Sequence, residues 1–129
     1  MVSVADGDTI TVLEGTTQHR VRLHGIDAPE RGQAFATRAK EFTGDLAFSQ
    51  TVTLRVRDTD RYGRLVAEVI LPEGRNLNHE IVRAGFAWWF KRYAPRDGEL
   101  EKLELEARTA KRGLWADESP IPPWEYRRR

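Results

Sequence analysis

Thr51-Val52-Thr53-Leu54-Arg55-Val56-Arg57 alternates apolar and polar residues without a break. A period of two marks a strand with one face on a core and the other in water. It turns Val52, Leu54 and Val56 inward and Arg55 and Arg57 outward. Three more segments carry this period: Thr9 to Leu13, residues 18–24 with Val21 and Leu23 set against Arg20, Arg22 and His24, and Leu65 to Leu71 with Leu65, Ala67 and Val69 on one face. Asp6-Gly7-Asp8 precedes the first segment, Glu14-Gly15-Thr16-Thr17 closes a hairpin between the first two, and Pro72-Glu73-Gly74 follows the last; all three are turn signals. Such a chain folds around a sheet.

Elsewhere the period is helical. From Gln33 to Phe48, Phe35, Ala39, Phe42 and Leu46 fall on one face, which reads as core. Asn78 to Ala84 is a short helix, with Asn78 as its expected N-cap and Gly85 as its stop. Asp97 to Arg112 carries a stripe of Leu100, Leu103, Ala107 and Ala110, and its charged face, including the Glu104 and Arg108 pair, is expected in solvent. With 129 residues, 40% of them hydrophobic, and four Trp, the chain suffices for one domain with a sizeable core but is too short for two. The expected division is a domain over 1–115 and an extended, Pro- and Arg-rich tail over 116–129. In this reading Trp115 and Trp124 are candidates to dock on the domain, and Arg127-Arg128-Arg129 is either an aid to polyanion binding or a disordered end.

Composition narrows the chemistry. Without cysteine there is no disulfide, thiolate nucleophile or thiolate metal site. No apolar run approaches the ~18–20 residues of a membrane span, so a soluble protein is expected. Twenty-one basic and twenty acidic residues leave a net charge of +1, so any binding to nucleic acid must rest on local patches. The start shows no charged and apolar leader pattern. A cytoplasmic location is expected unless a leader has been removed, in which case the protein is secreted or periplasmic.

The densest cluster of chemistry-bearing residues is Arg22-Leu23-His24-Gly25-Ile26-Asp27-Ala28-Pro29-Glu30. A strand ends there in a Gly- and Pro-punctuated loop with two carboxylates. The hairpin brings Asp8 toward Asp27. His19, His24 and His79 lie at no metal-ligand spacing, so a hard, oxygen-ligated cation, Ca²⁺ or Mg²⁺, is favoured over Zn²⁺. Arg22 and Arg64 offer forked donors for phosphate oxygens. Between Arg83 and Arg96, four cations and no acid are interleaved with five aromatics, a composition that attracts phosphates and stacks on bases; Tyr93 is the best candidate for an exposed ring.

Asp6-Gly7-Asp8-Thr9, then Arg22 with Asp27-Ala28-Pro29-Glu30, then Asp60-Arg61-Tyr62-Gly63-Arg64, in this order and spacing, resemble the staphylococcal (micrococcal) nuclease family over roughly residues 2 to 115. The resemblance implies an α+β fold, an OB-fold five-stranded Greek-key barrel with three α-helices. It implies one Ca²⁺ held by Asp8, Asp27 and the Ala28 backbone carbonyl, and catalysis by Arg22, Glu30 and Arg64. It also implies substrate contacts from Arg61, Tyr62, Lys91 and Tyr93, with Lys91 standing where the family carries a second tyrosine. The implied reaction is endonucleolytic hydrolysis of DNA and RNA to 3′-phosphate products, by a protein expected to be monomeric. The rival reading is a non-catalytic OB-fold module that binds single-stranded nucleic acid through the barrel face and the Trp88 to Tyr93 region. The three carboxylates favour the enzyme, because acids on a phosphate path oppose binding unless a metal offsets them.

Overall fold

A computed structural model describes residues 2–128; Met1 and Arg129, the last of the three terminal arginines, lie outside it. Among the described residues seven strands are formed: β1 (Val2–Asp6), β2 (Thr9–Glu14), β3 (Thr17–Leu23), β4 (Ile26–Asp27), β5 (Thr53–Thr59), β6 (Leu65–Ile70) and β7 (Trp88–Trp89). The helices are α1 (Ala36–Ala47), α2 (Leu77–Arg83), α3 (Gly98–Thr109) and a single turn, α4 (Pro123–Tyr126). Five strands make one sheet in the order β1-β2-β3-β6-β5, and β4 pairs with β7 in a second, two-stranded sheet. The expected α+β class and its five-stranded sheet are therefore present. Among the described residues β1 and β5 are the sheet's edges, so it is open rather than a closed barrel. No helix among them is long and apolar enough to cross a membrane.

The central strand is β3. It runs antiparallel to β2, with Arg22 opposite Thr9, and parallel to β6, with Arg22 beside Val66. Its alternation explains its place: Val21 and Leu23 are fully buried, while Arg22 points to the other face. The main core gathers Ile10, Val21, Leu23, Ile26, Val69, Leu77, Ile81, Val82, Leu100 and Leu103, where the sheet meets α2 and α3. A second cluster of Trp88, Ala107, Leu114 and Trp115 lies against Phe35 and Trp124.

Several local readings are corrected. The strictly alternating run begins its strand at Thr53, and Val56 is 53% exposed although the alternation turned it inward. Its strand is an edge, and a bulge between Val56 and Asp58 shifts the register just past the core, which ends the use of alternation there. Helix α1 starts at Ala36, not Gln33. Phe35 sits outside it with φ of 70° and packs into the second cluster, because the chain first turns through a Gln33 N–H to Glu30 carbonyl bond of 2.8 Å. The N-cap of α2 is Asn76, whose side chain accepts the His79 N–H. Asn78 is buried within the first turn: its Oδ1 accepts from the Val69 N–H at 3.1 Å, and its Nδ2 donates to the His24 and Ala67 carbonyls at 3.0 and 3.1 Å. Glu104 is not solvated. It is buried, accepts the Trp89 N–H at 2.7 Å, and its partner Arg108 lies over the Trp115 ring at 4.3 Å. The tail is not wholly extended either: a 3₁₀ turn at Gly113–Ala116 leads into it, and α4 closes one helical turn after Pro122.

Candidate active site

The sheet's hydrogen bonding brings distant motifs to one end of it. Asp8 immediately precedes β2, and its carbonyl accepts the Leu23 N–H at 2.9 Å, so its side chain stands beside the end of β3. Gly7 allows this close approach: a Cβ there would sit 2.9 Å from the Ala39 Cβ and 3.0 Å from the Ala28 Cβ. The Thr43 hydroxyl on α1 locks the turn by donating to the Gly7 carbonyl at 2.7 Å. Past β3, Gly25 adopts a φ of 79°, a conformation glycine takes at little cost. It lets the chain reverse into β4, where Asp27 pairs with Trp88 of β7. The aromatic run thus serves first as the partner strand that fixes the carboxylate loop.

Asp8, Arg22, Asp27 and Glu30 come together. The Arg22 guanidinium bridges two carboxylates, Nη1 lying 3.3 Å from Asp8 Oδ2 and Nη2 3.3 Å from Asp27 Oδ1. Its Nη1 also donates to the Ile26 carbonyl at 2.9 Å. Asp8 Oδ2 accepts the Ala28 N–H at 2.8 Å, tying the two acidic segments together. Asp27 is fully buried. That burial pushes its carboxyl above the ordinary range, against hydrogen bonds and charge from Arg127 and Arg22 and with the help of Asp8. Asp6, just upstream, is likewise raised by burial and then by Asp8. This corner is crowded with negative charge and calls for cations.

Arg22 also lines a cleft of about 860 Å³ with His24, Arg57, Asp60, Arg61, Tyr62, Arg64, Phe90, Arg92 and Tyr93. Tyr62 and Tyr93 are each 65% exposed, as suits rings that stack on bases. Arg61 Nη2 donates to the Tyr62 hydroxyl at 2.9 Å. The structure does not bring Lys91 into this cleft: its ammonium lies 5.3 Å from the Trp89 ring centre. Nor do the carboxylates of Asp8, Asp27 and Glu30 line it. Arg22 alone belongs to both groups.

Two residues of the site were not singled out from the sequence. Asp60 holds Arg64, accepting its backbone N–H at 2.9 Å and its Nε at 2.7 Å. Burial raises the Asp60 carboxyl, but hydrogen bonds from the Arg64 amide and guanidinium and the Tyr62 amide outweigh it and hold the group below its ordinary value. Its place four residues before Arg64 in a Gly-containing loop was the available signal. Arg127, from the tail, reaches Asp27 and Glu30; the sequence marked it only within the terminal arginine run, as an aid to polyanion binding or a disordered end, with Trp124 three residues earlier as a candidate to dock.

Among the described residues no three Asp, Glu, His or Cys side chains form a metal-binding group. The donors expected from the sequence are Asp8, Asp27 and the Ala28 carbonyl. That set is all oxygen, with two carboxylates already sharing one guanidinium, and its chemistry suits a hard divalent cation.

An α+β fold with one arginine, Arg22, shared between an acidic corner and an arginine- and tyrosine-lined cleft describes a class of phosphate-handling protein. Residues 20–117 match the family described as staphylococcal nuclease homologue, and the chain belongs to that family. It is 43% identical over 129 residues to a protein of Escherichia coli named "Uncharacterized endonuclease", covering all of this chain and 84% of that one. It is 41% identical over 137 residues to a "Micrococcal nuclease" of Shigella flexneri, covering 99% of this chain and 79% of that one.

Proposed function

We propose that this protein is a Ca²⁺-dependent nuclease that hydrolyses phosphodiester bonds of DNA and RNA endonucleolytically, leaving 3′-phosphates. One observation carries the reading: Arg22 bridges Asp8 and Asp27 on one side and lines, on the other, the cleft that contains Arg64. Family membership and relatives named as nucleases support it.

In this reading Tyr62, Tyr93 and Arg61 take the nucleotides flanking the scissile phosphate. Arg64, held by Asp60 through its Nε, directs its two terminal nitrogens at the phosphate oxygens. Arg22 takes up charge that develops on those oxygens as the transition state forms. Glu30, partly exposed at the start of the loop, orients the attacking water and accepts its proton. Asp8, Asp27 and the Ala28 carbonyl would hold the Ca²⁺, which when bound supplies positive charge to polarise a phosphoryl oxygen.

The test is degradation of single- and double-stranded DNA and of RNA in CaCl₂ and in excess chelator. Cleavage that stops with the chelator supports the reading; equal cleavage in both overturns the metal's role. A protein that binds single strands and never cuts them would make it a binding module, the reading that the exposed Tyr62 and Tyr93 alone would favour.

A further inference from the structure

The tail beyond residue 117 lies outside the segment matching the family, yet it is firmly placed. Trp124 stacks on Phe90, centroids 5.2 Å apart and planes within 6°, and meets Trp88 edge-on at 5.4 Å. Pro123 is buried, and Gln33 Nε2, from the loop after Glu30, donates to the Ile121 carbonyl at 2.6 Å. These contacts aim one side chain. Arg127 Nη2 donates to Asp27 Oδ2 at 2.8 Å and Nη1 to Asp27 Oδ1 at 3.0 Å, while Nη1 also reaches Glu30 Oε1 at 2.5 Å.

Both oxygens of Asp27 are thereby engaged: Oδ2 by Arg127, Oδ1 by Arg127 and Arg22. Asp27 is fully buried, so it has no free face for a second cation. With the Arg127 fork on both oxygens and Arg22 on Oδ1, three of the roughly four lone-pair sites of the carboxylate are taken, and a divalent ion would meet the charge of the fork at hydrogen-bond distance, so the two compete. The same fork ties up the carboxylate expected to accept a proton from water.

We propose that Arg127 is a built-in competitor for the cation site, so that the docked tail sets how tightly Asp27 and its neighbours bind a divalent ion. The proposal rests on the Ca²⁺ reading above. Apparent affinity falls by the fraction of time the site is open; a tail closed nine-tenths of the time lowers it roughly tenfold. Trp124 supplies the docking and Arg127 the competing charge, so losing either should free the site.

The experiment is calorimetric titration of the full chain with CaCl₂, without substrate, for the unaltered protein and for Arg127→Ala, Trp124→Ala and Arg128→Ala. Thermal melting in chelator confirms that each variant is folded. Arg127→Ala and Trp124→Ala should bind Ca²⁺ several-fold to about tenfold more tightly. Arg128→Ala, which removes the same charge one residue on, should stay within about twofold of the unaltered protein. In ¹⁵N spectra of the unaltered chain, the amides of residues 124–128 should shift as CaCl₂ is added. Equal affinities in all four proteins, or equal gains for Arg127→Ala and Arg128→Ala, overturn the competition while leaving the Ca²⁺ reading intact. Absence of Ca²⁺ binding in every variant overturns both.

Discussion

Asp60 grips Arg64 at two points, one carboxylate oxygen on its backbone amide at 2.9 Å and the other on its Nε at 2.7 Å. The guanidinium is thus fixed through its Nε, and its two terminal nitrogens are left for a phosphate. Asp60 is a positioning residue, acting through Arg64. Asp60→Asn keeps an acceptor for the amides but cannot accept from Nε. It should lower kcat by up to roughly 10²-fold, the cost of a misplacement of about 1 Å, with little change in KM or melting temperature. A purely structural role would instead move the melting temperature and leave kcat per folded molecule unchanged; kinetics beside thermal melts separate the two.

Glu30 has a side chain partly open to solvent, so Glu30→Gln should leave the fold in place while removing the proton acceptor. Nuclease activity should fall by about 10²–10⁴, the usual worth of a general base, with nucleic-acid binding retained. Filter binding beside a cleavage assay reads both. Loss of binding together with cleavage would assign Glu30 to substrate affinity instead.

The strands that position the site were legible because burial on one face imposes a period of two, as at Val21 and Leu23 around Arg22. The meeting of Asp8, Arg22, Asp27 and Glu30 was legible because a hairpin with a two-residue loop fixes its own register. What escaped depended on contacts between segments distant in sequence. Nothing local distinguishes Asn78, buried inside α2, from an N-cap asparagine, since the difference lies in three backbone groups on other elements. Glu104 and Arg108 have the spacing of a solvated pair, and only the packing of Trp88 and Trp115 beside them takes Glu104 out of water while Arg108 stays exposed. Arg127 lies 100 residues from Asp27 in sequence, and its aim is set by aromatic stacking that no periodicity records.

Asn78 joins α2 to β6 and to the end of β3 by bonding Ala67, Val69 and His24 backbone groups, and it is almost fully buried. Asn78→Ala leaves a buried N–H without its acceptor and takes a donor from two carbonyls. Each buried group left without its partner costs about 1–3 kcal/mol, and Ala67 keeps a second donor, the His24 N–H. A loss of about 2–5 kcal/mol is therefore expected in urea unfolding. Asn78→Asp should be at least as damaging, because it turns a buried, unpaired carboxylate oxygen toward the His24 and Ala67 carbonyl oxygens, although it keeps the acceptor for Val69. A loss below about 0.5 kcal/mol, the level of an ordinary surface substitution, would show that the junction is not held by this side chain.

His24 follows β3, half-buried in the wall of the cleft. Burial first, and then the positive charge of Arg57, push its imidazole below the ordinary value of 6.5, against Glu68 and Asp97. A folded-state value below the unfolded one means that the unfolded chain takes the proton first on acidification. The stability linked to neutral His24 is therefore complete above pH 6.5 and is lost as the pH falls from there through the folded value. Ring ¹H–¹⁵N spectra should give a midpoint below 6.5. Arg57→Ala should raise it, the more so because Glu68 loses the cation that pairs with it, without restoring the ordinary value, since burial is the larger cause. Below the midpoint His24 adds a cation to the cleft, and the salt dependence of single-strand binding should steepen by about 0.7 in log–log slope. A slope unchanged across the midpoint would place His24 outside the path of the bound strand.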